Sequence, residues 1–345
     1  MTGEPRGPRQ SVERLLTAAR SVYDHREELA SDLVQSTGLS REGVVLGFES
    51  LELSATEADL RALTGSSVAA ERVHVILSAN VFIAPLRAIL LARVAAPRVT
   101  IRPSSRDPGI SFDLIRAAED PSLEIAPELD VADIDSGEIH VYGRDETIAA
   151  VKRCAQTTVS VRAHGTGMGA VFVSRGIDCA EAARAVAEDV VPFDQRGCLS
   201  PRVAMIEGDA HRARDFAEAL HHELSEFERR VPRGSLSESE RHEAARWRDA
   251  LCLASEVLGA SKHAVAVSTE AIAPWIPPPG RHVLVVPAQT VQQAAHWLAP
   301  ISEFVVALGT DDLARSEPYF PRHARRSPLG RMQHPPLDGP VDLRT

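Results

Sequence analysis

Two kinds of apolar run alternate along the first half of the chain. Short β-branched runs, such as RVHVILSAN at Arg72–Asn80, are typical of buried strands. Between them lie stretches with apolar residues at helical spacing. The pattern predicts further strands at 98–104, 123–128, 138–143 and 158–165, and helices at 82–96, 107–120 and 145–156. Alternating strands and helices with short connections predict a mostly parallel sheet covered on both faces.

Other patterns flank this alternation. Ser11–Leu39 has helical spacing with Ser11 as its N-cap, and Val44–Leu53 indicates a second helix or turn. After Gly165 the pattern predicts strands around GTGMG and at 202–207, 264–268, 282–287 and 303–308, and helices at 179–191, 212–230, 238–258 and 291–298. The end, RRSPLGRMQHPPLDGP, indicates an irregular tail or cover. We expect one domain over residues 1–165 and a second over 166–345.

Composition narrows the class of function. The chain has 345 residues, of which 44% are hydrophobic and 25% charged, as in folded proteins with a sizeable core. A net charge of −10 argues against a nucleic-acid or anionic-membrane partner. The start, MTGEPRGPRQ, lacks the apolar core of a signal peptide, and no apolar run reaches the roughly eighteen residues of a membrane span. We therefore expect a cytoplasmic protein with reduced thiols.

Cys198 is the candidate nucleophile among the four cysteines. It lies in a loop after Pro192, which ends the preceding helix, and it follows Gly197, which lets another group approach closely. Arg196 and Arg202 flank it, and nearby positive charge favours the reactive thiolate. Elsewhere, Cys154 and Cys252 lie within predicted amphipathic helices, where a core position is the simplest expectation, and Cys179 follows the acidic Asp178.

Asn80 and a glycine-rich run are the next candidates. Asn80 ends a strand at the rim of the predicted sheet, where ligands bind, although it could equally cap the following helix. Gly165, Gly167 and Gly169 follow a strand as a dinucleotide-binding turn would, but the strand AVFV comes next instead of a helix. The run is therefore better explained as a tight turn between strands.

Histidines give no sign of a metal site. His221 and His222 are adjacent on a predicted helix, so their side chains point about 100° apart and do not chelate as an i, i+4 pair does. Glu223 follows them, and the remaining histidines are scattered along the chain. We expect no bound metal.

Three segments resemble the aldehyde dehydrogenase superfamily and, within it, the LuxC-type acyl-CoA reductases, the fatty acid reductases. They are His74–Gly109, Ile139–Ile148 and Asp189–Arg202, in which DQRGC-S is the most specific element, and the resemblance spans about Arg72–Glu207. It implies an α/β, aldehyde-dehydrogenase-like fold. A Rossmann-type nucleotide-binding domain would be joined to a second α/β catalytic domain that carries the nucleophile and the Pro/Gly-rich tail.

The same resemblance implies a reaction. Cys198 would attack the thioester of a fatty acyl-CoA and expel coenzyme A, and hydride from a nicotinamide would reduce the thioacyl-enzyme to the aldehyde. Asn80 would donate to the developing oxyanion beside the backbone N–H of Cys198, which is worth about 3 kcal/mol of barrier. The expected partner is an acyl-CoA or acyl-carrier thioester, and relatives usually form homo-oligomers.

The cofactor preference follows from one departure from the superfamily's pattern. Arg102 occupies the place of a lysine that contacts the adenosine ribose, and Ser105 replaces a glutamate that holds the ribose 2′-hydroxyl in many NAD-preferring relatives. Flanked by Arg102 and Arg106, Ser105 would accept a 2′-phosphate, so NADPH is expected in preference to NADH. The expected cofactor-binding set is Ser78, Arg102, Ser105, Arg106, Gly143 and Gly165.

A second departure leaves alternatives open. Hydrolytic relatives carry a general-base glutamate where this chain has Arg162, Ala163 and His164, which favours thioester reduction over hydrolysis. His164 could still act as a base, so an NAD(P)-dependent aldehyde dehydrogenase that forms the acid is one alternative. The others are a protein that transfers the acyl group from Cys198 without redox chemistry and a catalytically silent relative.

Overall fold

Five parallel strands form the first of two sheets. The computed structural model describes residues 7–65, 70–107, 109–259, 261–269 and 272–344. The first sheet contains β1 (Arg72–Ile76), β2 (Arg98–Arg102), β3 (Leu123–Ile125), β4 (Glu138–Tyr142) and β5 (Ser160–His164). Its order is β3-β2-β1-β4-β5, and every pairing is parallel, as in a Rossmann-type nucleotide-binding fold.

The second sheet has seven strands. They are β6 (Met168–Val173), β7 (Pro201–Glu207), β8 (Glu256–Gly259), β9 (Ala264–Val267), β10 (His282–Ala288), β11 (Val305–Thr310) and β12 (Arg325–Pro328). The order is β12-β11-β6-β7-β10-β9-β8, and only the pairing of β8 with β9 is antiparallel. Both faces of the central strands are covered, which explains their continuous apolar runs.

Helices lie on both sheets. They are α1 (Pro8–Asp24), α2 (Arg26–Thr37), α3 (Arg41–Glu49), α4 (Glu57–Thr64), α5 (Ala84–Ala95), α6 (Ile110–Ala118), α7 (Asp145–Cys154), α8 (Cys179–Val190), α9 (Ala210–Arg230), α10 (Glu238–Leu251), α11 (Val291–Leu298) and α12 (Leu313–Ser316). α1, α5 and α6 share a buried cluster with β1 and β2, and α7 packs with β4 on the other face of that sheet. Within the described ranges, no helix combines the length and apolarity needed to cross a membrane.

The α/β alternation of the sequence is confirmed, with differences at several boundaries. The helix expected over Ser11–Leu39 is two helices with a break at His25, and Ser11 lies buried inside α1 instead of capping it. α10 ends at Leu251, because residues 256–259 pair with β9 as strand β8. The expectation of a core position is wrong for Cys154 and Cys252, which are exposed at the ends of their helices.

The glycine-rich run joins the two sheets. The chain leaves β5 at His164 and enters β6 at Met168, so the run is a connection between strands, as the sequence indicates. A Cβ on Gly167 would lie 2.4 Å from Val306 Cγ2. Glycine has no Cβ and therefore avoids this clash. The proposed domain limits, 1–165 and 166–345, stay a prediction.

Candidate functional site

The loop that carries Cys198 begins with three left-handed residues, Phe193–Gln195, with φ of 55°, 49° and 65°. This conformation costs a non-glycine residue free energy unless its surroundings enforce it. Gln195 supplies support, because its Nε2 donates to the carbonyl oxygens of Pro201 (2.7 Å) and His282 (2.8 Å). Its Oε1 accepts from the backbone N–H of His282 (2.8 Å). The loop is thereby fixed to the first residues of β7 and β10.

A buried ion pair holds the same turn from another side. The Asp194 carboxylate lies 2.8 Å from Nη2 of Arg281 and accepts from the backbone N–H of Gly234 at 2.9 Å. Arg281 is fully buried and also pairs with Glu228 at 3.1 Å. Removing one partner of such a pair leaves an uncompensated buried charge, at a cost of about 3–5 kcal/mol.

Gly169 of β6 contacts the end of the loop that follows Cys198. Its backbone N–H donates to the carbonyl oxygen of Ser200 (2.9 Å). A Cβ at this position would lie 2.4 Å from the carbonyl oxygen of Leu199, closer than real Cβ contacts allow. Glycine here therefore lets the backbone next to Cys198 rest directly on β6.

Asp189 ties the segment after β12 to this loop. Its buried carboxylate accepts from the backbone N–H groups of Gly330 and Met332, both at 2.8 Å. Burial raises the pKa of Asp189 to about 7. Gln333 then joins the two elements, because its Nε2 donates to the Asp189 carbonyl (2.9 Å) and to Ser200 Oγ (3.2 Å).

The loop of Asn80 meets the loop of Cys198. Asn80 lies in a bend after β1, and a Cβ built on Gly197 would lie 3.4 Å from Cγ2 of Val81. The Oδ1 of Asn80 accepts from Nη2 of Arg106 (3.3 Å), so its Nδ2 points away from that guanidinium. The structure thus brings the two expected catalytic residues onto adjacent loops.

The surroundings of the Cys198 thiol favour its protonated form. Burial and the charge of Asp342 raise its pKa to about 11, although Arg344 and Arg202 act in the opposite direction. Of the two flanking arginines, Arg202 favours the thiolate as expected, but its effect on the pKa is smaller than that of burial. Arg196 turns away to Glu240 and to backbone carbonyls. Burial outweighs the cations that do face the sulfur.

His164 lies at the end of β5, stacked on Tyr142 with ring centroids 4.4 Å apart. Burial lowers the pKa of His164 to about 4, so its imidazole is neutral at pH 7. Arg162, on the same strand face, pairs with Glu138 at 2.9 Å. Residues 162–164, which stand where hydrolytic relatives carry a general-base glutamate, therefore provide a neutral imidazole and no carboxylate.

The expected cofactor-binding residues lie along one edge of the first sheet. Parallel strands end together, and β1, β2, β4 and β5 deliver their following residues to this carboxyl edge, where α/β folds bind nucleotides. The residues placed there are Ser78, Asn80, Arg102, Ser105, Arg106, Gly143 and Gly165. Two of the glycines also have structural roles. The backbone N–H of Gly143 donates to the His164 carbonyl, and Gly165 leaves room for the Asp145 side chain.

The donor set at this edge suits a phosphate-bearing cofactor. Arg102 ends β2, Ser105 is exposed three residues further on, and Arg106 donates to Asn80 Oδ1. Guanidinium groups bind phosphate through parallel N–H···O bonds. The residues at this edge therefore suit a nicotinamide nucleotide cofactor.

The histidine-rich stretch is not arranged as a metal site. His221 Nδ1 lies 2.8 Å from Nε2 of His263 on the neighbouring strand connection. Glu223 lies 4.0 Å from Arg184 instead. Over the described ranges, no group of three or more histidine, cysteine or acidic side chains is placed to hold a metal ion.

Four residues of the site were missed by reasoning from the sequence. They are Asp189, Gln333, Asp342 and Arg344. Three of them lie after β12, and the only signal for that part of the chain was its Pro/Gly-rich composition, which indicated a cover but not what it covers.

Comparisons with known proteins agree with this geometry. The sequence model of the acyl-CoA reductase (LuxC) family matches residues 67–323. No curated protein sequence matches the chain.

Similar solved structures include aldehyde dehydrogenases. An NAD-dependent benzaldehyde dehydrogenase from Corynebacterium glutamicum is 15% identical with a TM-score of 0.67, over 91% of this chain and 79% of the other. A mutant of aldehyde dehydrogenase C from Pseudomonas syringae, in complex with NAD⁺ and octanal, is 14% identical with a TM-score of 0.64, over 88% and 72%. An oxidoreductase from Marinobacter aquaeolei is 12% identical with a TM-score of 0.71, over 92% and 77%. At these identities the likeness establishes the aldehyde-dehydrogenase fold.

Proposed function

Because the chain belongs to the LuxC acyl-CoA reductase family, we propose that it reduces a fatty acyl-CoA to the aldehyde with NADPH, through a thioacyl group on Cys198. The observation that carries this proposal is the meeting of the Cys198 and Asn80 loops at the carboxyl edge of the first sheet. A neutral His164 beside that edge, in place of a carboxylate, favours reduction over hydrolysis.

The chain's own residues account for the acylation step. The Cys198 sulfur forms a bond to the thioester carbonyl carbon, the bond from that carbon to the coenzyme A sulfur breaks, and the proton lost by Cys198 ends on the released coenzyme A thiol. Asn80 Nδ2 and the Cys198 backbone N–H donate to the oxyanion, and the bond from Arg106 to Oδ1 orients the amide for this task. A nicotinamide, when bound, supplies the hydride that completes the reduction.

Acylation is tested without cofactor. Purified protein is mixed with acyl-CoA substrates of different chain lengths, and intact mass and peptide mapping locate any added acyl group. We expect one acyl group on Cys198, none in Cys198→Ala, and unchanged labelling in the matched variant Cys252→Ala, whose thiol is exposed and lies outside the loop. Labelling that persists in Cys198→Ala would contradict the assignment.

The cofactor preference depends on Arg102, Ser105 and Arg106. A glutamate at position 105 would repel a 2′-phosphate and accept a bond from the 2′-hydroxyl. We expect Ser105→Glu to weaken NADPH binding at least tenfold and to improve NADH binding, as titrated by nicotinamide fluorescence. Ser104→Glu, one residue away, is the matched control for added charge. Equal affinity of wild type for both cofactors would refute the preference.

His164 supports a second candidate function, oxidation of an aldehyde to the acid. A neutral imidazole can take a proton from water, and water could then attack the thioacyl group. Incubation with an aldehyde and NADP⁺ would form the acid, and His164→Gln would abolish that product. If the wild-type protein forms no acid, this second candidate function is excluded.

A further inference from the structure

Two phenylalanine rings pack against Gly47, a buried residue of α3. A Cβ built on Gly47 would lie 2.7 Å from Cε1 of Phe82 and 2.8 Å from Cε1 of Phe193. Both phenylalanines are buried, with exposures of 4% and 3%. Neither distance leaves room for a methyl group, because ordinary contact with a Cβ begins at 3.4 Å. Glycine at this position therefore lets both rings contact the backbone of the helix.

The two rings belong to the loops of the expected catalytic residues. Phe82 follows Asn80 by two residues, and Phe193 precedes Cys198 by five. Their ring centroids are 5.6 Å apart and their planes lie at 69°, which is the edge-to-face arrangement that aromatic pairs prefer. Because buried side chains are closely packed, a shift of one ring displaces the other ring and the loop that carries it.

The turn between α2 and α3 holds the Cys198 loop at a second point. Arg196 donates through Nη1 to the Thr37 carbonyl oxygen (3.4 Å) and through Nη2 to the Ser235 carbonyl oxygen (3.0 Å). The backbone N–H of Ser235 donates in turn to the Gly38 carbonyl oxygen at 2.8 Å. The helices that precede β1 therefore fix this loop in two places.

The two loops also contact each other directly, since Cγ2 of Val81 would lie 3.4 Å from a Cβ on Gly197. The proposed reaction needs the Asn80 amide and the Cys198 backbone N–H to donate to one oxyanion, so the spacing between these two donors determines how well they stabilise it. That spacing is fixed by the contacts between the loops and by the contacts of both loops with α3.

We propose that α3 sets the spacing of the two oxyanion donors, with Gly47 as a positioning residue that acts through Phe82 and Phe193. The helix precedes residues 67–323, the part of the chain that matches the family model, so that match says nothing of its role. The inference rests on the proposed function, because the spacing of the donors matters only when a thioester is attacked at Cys198.

Gly47→Ala tests the proposal. To restore ordinary contact with the new Cβ, the Phe82 ring must move by about 0.7 Å and the Phe193 ring by about 0.6 Å. A displacement of about 1 Å at a reacting group can lower its rate about a hundredfold, so we expect acylation of Cys198 at saturating acyl-CoA to slow about tenfold. The rate is measured without cofactor, by rapid quenching and intact mass.

Two controls separate positioning from general loosening of the loop. Gly43→Ala adds a Cβ to the same helix, where its nearest neighbours would be Ser40 and Leu39, so acylation should keep the wild-type rate. Alkylation of Cys198 by iodoacetamide forms no oxyanion, so Gly47→Ala should change its rate less than about twofold. A loosened loop would instead change the alkylation and acylation rates together, which would overturn the proposal.

A double-mutant cycle with Asn80→Ala identifies the group through which Gly47 acts. If Gly47→Ala acts through the oxyanion donors, its effect on the acylation rate should largely disappear once Asn80→Ala has removed one of them. Rate losses that multiply would contradict the proposal. Phe82→Leu removes the ring contact without adding an atom to the helix, and it should show the same slow acylation, unchanged alkylation and coupling to Asn80→Ala. It keeps the test decisive if Gly47→Ala does not fold.

The same experiment distinguishes this inference from the proposed function. If no acyl-CoA acylates the wild-type protein, the proposed function fails and this inference fails with it. If the wild-type protein is acylated and both Gly47→Ala and Phe82→Leu keep its rate, only this inference fails.

Discussion

Replacing Gly169 with alanine tests how the structure positions its nucleophile. The added Cβ would lie 2.4 Å from the Leu199 carbonyl oxygen, whereas ordinary contact begins at 3.4 Å, so the loop must move by about 1.0 Å. The same Cβ would lie 2.9 Å from Pro201 N, so the loop cannot relieve the first contact by moving toward that atom. Both contacts are with backbone atoms, which shift less easily than the end of a flexible side chain. Overpacking of this kind costs about 1–3 kcal/mol of stability.

The larger effect should be on catalysis. A displacement of about 1 Å at a reacting group can lower its rate about a hundredfold. We expect Gly169→Ala to remain folded, with a lower melting temperature, and to lose about that factor in kcat for acyl-CoA reduction. Gly176→Ala is the control, because its Cβ would meet only Ser174 Oγ, at 3.4 Å. Wild-type kcat in Gly169→Ala would refute the idea that β6 sets the position of Cys198.

Three further perturbations follow from the structure. Asn80→Ala should lower kcat about a hundredfold, or roughly 3 kcal/mol, with little change in KM; a change confined to KM would contradict the oxyanion role. His282, whose pKa burial lowers to about 4, is neutral when folded but takes up a proton when unfolded below about pH 6.5. Stability should therefore fall by up to about 3 kcal/mol as pH drops from 6.5 to 4, and melting curves of His282→Gln should show a shallower fall. Arg281→Met leaves the buried Asp194 carboxylate without its partner, so the free energy of unfolding measured in urea should fall by about 3–5 kcal/mol. Arg214→Met removes an exposed ion pair and should lower it by less than about 1 kcal/mol.

Much of the fold is readable from local pattern, because strands buried on both faces must be apolar along their length. β6 (Met168–Val173) and β11 (Val305–Thr310) have this pattern. The helical spacing that continues past Leu251 is misleading, since pairing with β9 makes residues 256–259 a strand. Such a long-range pairing overrides local preference and leaves no sign in the segment itself.

Residues of the candidate site could be proposed from the sequence only where they lie in local motifs. Cys198 and Asn80 each follow a characteristic turn from one element to the next. The ionisation of the thiol could not be predicted, because it depends on burial and on Asp342, which lies at the other end of the chain. Arg196 is adjacent in sequence but turns to Glu240. Charge counted along the sequence leaves out burial, which has the larger effect on the pKa of this thiol.

The most direct test of the account is a balance of the complete reaction. Protein, NADPH and a panel of short to long acyl-CoA substrates are mixed, and NADPH consumed, free coenzyme A thiol and aldehyde formed are measured together, with Cys198→Ala beside wild type. The account predicts equal amounts of all three for at least one chain length, and none in the variant. Release of coenzyme A without consumption of NADPH, or turnover that persists in Cys198→Ala, would contradict it.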